Sequence, residues 1–150
     1  MTEAGKRKSA CAALTVIAAA LDLTSKYAIR AHPVSDWPWP GFFELTTHHN
    51  FGLIGNAPVP QPVILAVTLF IMLVLTHKIF LDGKDNERKE SLALALILGG
   101  AIGNFYDRLH LGFVFDWMMV FNTSIFNIAD IAIAGGLAWY AWLILTKRKT

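Results

Sequence analysis

The chain has 150 residues, of which 55% are hydrophobic and only 16% charged, an apolar balance beyond that of ordinary soluble domains and a length suited to one domain, here taken as 1–150. A formal charge of +2 with no basic stripe argues against a nucleic-acid surface. Cys11 is the single cysteine, which excludes an intrachain disulfide or a CxxC redox pair.

The first apolar segment covers 9–29 and follows Lys6, Arg7 and Lys8. Its start, GKRKSACAALTVIAAALD, has the charged head and small-residue tail of a secretory signal peptide, yet further membrane-grade spans follow instead of a soluble body. In the loop at 31–60, HPVSDWPWPG is too rich in proline for regular helix, and Trp37 and Trp39 suit a membrane interface. FFELTTHHNFG then alternates enough to predict a short strand or two. Residues 57–76, APVPQPVILAVTLFIMLVLT, carry no charge, and a helix of that length spans roughly 30 Å. LDGKDNERKE is a hydrophilic turn before the third span at 91–107, whose Gly99 and Gly103 permit close helix packing. The next loop, LHLGFVFDWMMVFNTSIF, is apolar although it lies outside the spans, so it is expected on the membrane surface or over a cavity. The fourth span covers 127–146.

The fold class that emerges is an all-α integral membrane protein of four transmembrane helices with a small β-containing first loop. Lys and Arg flank the two termini and the 78–90 loop, while 31–60 and 109–126 contain neither. The positive-inside rule then makes both termini cytoplasmic and the first and third loops extracytoplasmic.

Polar residues that break the apolar pattern carry the functional signal. Asp22 and Lys26 are four apart on one helix face, as are Asn104 and Arg108. Charges in a span are costly and usually face a cavity or each other. Each residue has a purely structural reading: Lys26 snorkelling with Asp22, Arg108 as an interfacial stop paired to Asp107, Asn127 and Asp130 as a helix capping box. Asp116, in VFDW, has no such reading. All of these groups, with Asn50, are expected near the outer interface, and that convergence argues for a site.

Two carboxylates brought together share a proton, so one can take a proton from water while the other donates to a carbonyl. Other chemistries lack parts: Ser91 and Ser124 have no nucleophile-elbow context, and His48 and His49 are adjacent, which fits a surface feature better than a zinc pattern. No metal or cofactor is expected.

LDLTSK, HHNFG, GGAIGNFYDRLHLGFVFDW and FNIAD, in this order on four spans, resemble the bacterial lipoprotein signal peptidase (signal peptidase II) family over nearly the whole chain. The resemblance implies a single membrane-embedded aspartyl endopeptidase that removes signal peptides from diacylglyceryl-modified prolipoproteins, cutting before the lipidated cysteine. It implies Asp116 and Asp130 as the catalytic pair, with Asp22, Lys26, Asn50, Gly100, Asn104, Arg108 and Asn127 in support. It also implies a multi-pass protein of the bacterial cytoplasmic (inner) membrane, with its site near the extracytoplasmic surface, among phospholipids and inhibited by globomycin-type cyclic peptides. The chain departs from the family pattern at Leu53, Ile54 and Gly55, bulkier or lacking the usual Phe, and at Ile131. A diverged paralogue with altered substrate, a small polytopic transporter and a non-catalytic assembly protein are the alternatives. The apolar inner halves of the second and fourth spans oppose the transporter.

Overall fold

The computed structural model describes residues 2–31, 42–52, 59–82 and 88–147. Trp37, Trp39 and the Leu53, Ile54 and Gly55 departure lie outside the described residues. In chain order the elements are α1 (Glu3–Ala31), β1 (Phe43–Asn50), α2 (Gln61–Thr76), α3 (Arg88–Leu111), β2 (Val114–Val120), β3 (Ser124–Phe126) and α4 (Ile128–Lys147). All four helices are long and apolar enough to cross a membrane, α2 with the π-helical turn His77–Leu81 that continues it.

Helix α1 begins earlier than the apolar run, because Glu3, Lys6 and their neighbours are good helix formers and pair along the first turns. Helix α2 begins later, at Gln61: Pro60 lies just outside, and Pro62 sits in the first turn, where its missing N–H costs nothing.

Helix α3 is the axis of the bundle and packs against the other three. The buried face of α1 runs through Cys11, Thr15, Ala18, Ala19, Asp22 and Lys26, a single stripe at helical spacing. It meets α3 at Gly99 and Gly103, where an added Cβ would collide with Ala18 and Asp22 respectively. Gly100 does the same on the α4 side, since a Cβ there would strike the Ala129 carbonyl and Ile133. The expected packing role of Gly99 and Gly103 is thus what the structure gives them. Small residues let two backbones approach where lipid offers no hydrophobic push.

Beyond the helices, β1, β2 and β3 form an antiparallel sheet in that order. Most of the apolar loop at 109–126 is the central strand of this sheet and the hairpin after it. Gly112, at φ 79°, ends α3 by donating its N–H to the Arg108 carbonyl at 3.2 Å and turns the chain into β2. Val114, Phe115 and Asp116 are all buried, so β2 shows no two-residue alternation at its start.

Candidate active site

The site grows from the junction of α4 with β2. Asn127 precedes α4 and caps it: its Oδ1 accepts the Asp130 N–H at 2.9 Å, and the Asp130 carboxylate accepts the Asn127 N–H at 3.3 Å. This reciprocal capping box satisfies two otherwise unpaired donors of the helix start. The Asn127 side chain then has its Nδ2 free for other acceptors. It donates to Asp116 Oδ1 at 2.6 Å and to Asn104 Oδ1 at 3.1 Å. One wholly buried asparagine therefore holds Asp116, on the sheet, against Asp130, on the helix.

Asn104 closes the arrangement from α3. Its Nδ2 donates to Asp130 Oδ1 at 2.8 Å, and its Oδ1 accepts from Lys26 Nζ at 3.1 Å. The second oxygen of Asp116 accepts from Asn50 Nδ2 at 3.2 Å, while Asn50 Oδ1 accepts the Gly52 N–H at 3.1 Å. Each of these amides has a fixed orientation because its two ends face different partners.

Lys26 is the hub behind the pair. Its ammonium lies 2.6 Å from Asp22 and 2.9 Å from Asp107, with all three side chains almost fully buried. Asp22 also accepts the Ala129 N–H at 2.9 Å, fixing the first turn of α4 from α1. Asp107 accepts the Phe115 N–H at 3.1 Å, fixing β2 one residue before Asp116. Asp107 is the residue that the sequence reading passed over. Its adjacency to Arg108 suggested an interfacial ion pair, but successive helical residues point about 100° apart, and Asp107 faces inward to Lys26. Spacing from the buried stripe of α3 would have found it, since Gly100, Gly103, Asn104 and Asp107 lie on one face. Arg108, for which a supporting role and a structural pairing with Asp107 both stood open, donates from Nη2 to the Gly52 carbonyl at 3.0 Å and ties the first loop to α3.

The electrostatics follow from this geometry. Asp116 is 1% exposed, and burial, then the neighbouring charge of Asp130, push its carboxyl up from 3.8 to about 6. Hydrogen bonds from Asn50 and Asn127 and the charge of Lys26 oppose that rise without cancelling it. A carboxyl whose affinity for its proton is raised beside a second carboxylate is the condition for general acid and base work by one pair. Among the described residues no cluster of three or more His, Cys, Asp or Glu is suited to a metal.

All nine residues singled out from the sequence are described. Asp22, Lys26, Asn50, Asn104, Asp116, Asn127 and Asp130 form one continuous polar network; Arg108 joins it through Gly52, and Gly100 sets the distance between α3 and α4.

Two carboxylates, Asp116 buried and Asp130 half-buried, at one end of a four-helix membrane bundle are the layout of a membrane-embedded hydrolase. Residues 14–146 match the family model described as signal peptidase (SPase) II. The chain is 36% identical over 139 residues to the lipoprotein signal peptidase of Moorella thermoacetica, covering 88% of this chain and 90% of that protein. It is 42% identical over 122 residues to the lipoprotein signal peptidase of Teredinibacter turnerae, covering 75% and 71%. Two bacterial membrane enzyme structures solved by the in meso method, at 2.3 and 1.9 Å resolution, superpose with TM-scores of 0.82 and 0.77. The first is 25% identical, over 92% of this chain and 88% of that one; the second is 26% identical, over 90% and 92%. The chain belongs to the signal peptidase II family and is an aspartic-type peptidase, a hydrolase.

Proposed function

We propose that the chain, acting as a single membrane-embedded domain, removes signal peptides from diacylglyceryl-modified prolipoproteins by cutting before the lipidated cysteine. The observation that carries this reading is the Asn127 clamp, which holds Asp116 by its side chain and Asp130 by a capping box. Asp116, raised to about 6, keeps the shared proton, and Asp130 serves as the carboxylate. Asp130 takes a proton from water as the water oxygen bonds to the scissile carbonyl carbon, while Asp116 donates to the carbonyl oxygen. Collapse of the tetrahedral species breaks the C–N bond, and the amine of the cysteine leaves with a proton from the pair. The pair titrates as a unit, so these assignments describe its working microstate.

In this reading both termini are cytoplasmic and the site faces the extracytoplasmic surface of the bacterial inner membrane. The diacylglyceryl chains and the scissile bond of a prolipoprotein lie at that same depth, and the exposed apolar faces of α2 and α4 meet phospholipid. Globomycin-type cyclic peptides would occupy the same site. The experiment is a gel-shift assay of purified enzyme in detergent with a diacylglyceryl-modified prolipoprotein. Cleavage by wild type and none by folded Asp116→Asn and Asp130→Asn is expected; cleavage that survives both substitutions overturns the mechanism.

A further inference from the structure

The paired histidines of the first loop are not absorbed by the network, and the structure separates them. In the antiparallel ladder His48 is the direct partner of Asp116, His49 of Phe115 and Asn50 of Val114. Side chains alternate across a sheet, and directly opposed residues share a face. Asn50 donates to Asp116, which places His48, two residues earlier, on the same face as the catalytic carboxylate. His49 goes to the other face, stacked on Phe113 with ring centroids 4.1 Å apart and near Phe115 at 6.3 Å.

His48 is half-buried and, among the described residues, makes no hydrogen bond, ion pair or ring contact. Opposed residues of an antiparallel pair carry their Cβ atoms about 4.5–5.5 Å apart, so the imidazole starts one residue width from Asp116. The other faces of Asp116 are occupied: Asn127 and Asn50 hold its oxygens, and Phe115 is tied to Asp107 behind it. The charged groups acting on Asp116 are Asp130, Lys26 and Arg108, the last tied to the Gly52 carbonyl. None of them uses His48. A half-exposed donor and acceptor beside a catalytic acid, without a protein partner, is placed to meet a peptide.

We propose that His48 is a substrate-positioning residue, its imidazole hydrogen-bonding the peptide backbone of the substrate next to the scissile bond, from the sheet side of the site. This rests on the peptidase reading above and deepens it. The bond holds the extended peptide across Asp116 while Asp130 and its water approach from α4. Because it is made in the bound substrate and kept through the reaction, it acts on binding more than on turnover.

The test is steady-state cleavage of a diacylglyceryl-modified lipopeptide by the purified full chain, comparing wild type, His48→Ala, His48→Gln and His49→Ala, with thermal unfolding of each. His48→Ala should raise KM about three- to tenfold with kcat within about twofold, the size of one lost hydrogen bond. His48→Gln, which keeps a donor and an acceptor, should recover most of that loss, and His49→Ala should resemble wild type. A His48→Ala enzyme with unchanged KM overturns the inference and leaves the peptidase reading standing. Equal losses in the Ala and Gln variants, or a fall in kcat alone, also overturn it. Failure of folded wild type to cleave removes the proposed function, and this inference with it.

Discussion

The two ends of the helix bundle use polar residues for different ends. At the end bearing the termini, Lys147 meets Glu90 at 2.6 Å and Arg7 donates to Ser91 at 3.0 Å. Each contact ties a terminal helix to α3, and Glu90 there has its own cation, as Glu3 has in Lys6. At the opposite end four acids, Asp22, Asp107, Asp116 and Asp130, share the network with two cations, Lys26 and Arg108. Lys26 is spent on Asp22 and Asp107, and Arg108 on a backbone carbonyl. Asp116 and Asp130 have amide groups as their hydrogen-bond partners, and the cations act on them only through space. A matched pair holds helices together; an unmatched pair holds a proton.

Substitutions that sharpen this contrast have graded effects. Asp130→Asn should lower kcat by about 10²–10⁴-fold, the range for loss of a positioned acid or base, while the amide oxygen still caps α4 and the fold is kept. Unfolding midpoints measured beside the cleavage assay check both halves of that statement. Lys26→Met should cost about 3–5 kcal/mol, because it strands two buried carboxylates, and thermal unfolding in detergent would read the loss directly.

The proton itself can be followed by pH. The folded carboxyl of Asp116 is raised from 3.8 to about 6, so the proton is retained below about pH 6 and lost above it. The alkaline limb of kcat/KM should accordingly fall as pH passes through about 6. Asn50→Ala removes a hydrogen bond that favours the charged form, and should move that limb to higher pH. By the same linkage, Asp116 favours the fold most below 3.8 and progressively less as pH rises through about 6. Asp116→Asn should therefore gain in unfolding midpoint relative to wild type as pH is raised from 4 to about 8, the gain read by melts at each pH. The smallest effect belongs to the other end. Lys147 has a side chain 44% exposed, and Lys147→Ala should change stability by under about 1 kcal/mol with activity kept. A large loss there would break the contrast.

Much of this was legible in the residues. Long uncharged runs gave the spans, and polar groups that oppose an apolar pattern gave the network, because their burial has to be compensated. The strand β2 was hidden for a physical reason: buried on both faces at Val114, Phe115 and Asp116, it lacks the alternation by which strands are recognised. Asp107 was hidden by a neighbouring opposite charge, and His48 by a neighbouring identical one. In both cases only the direction of the side chain separates the two residues. The capping box of Asn127 and Asp130 is present, and it leaves Asn127 Nδ2 to hold Asp116, so capping does not compete with the catalytic proposal. The same atoms that finish the helix aim the carboxylate.

The bond from Asp107 to the Phe115 N–H has a consequence for how the molecule is made. A slip of β2 by one residue would turn Asp116 to the opposite face of the sheet. The carboxylate that fixes the strand is itself held by Lys26, which reaches Asp107 only when α1 lies against α3. Helix packing and strand register are thereby coupled, because the contact of α1 with α3 and the phase of β2 share one carboxylate. Loosening α1 from α3 would then be felt at Asp116, on a strand that Lys26 never touches.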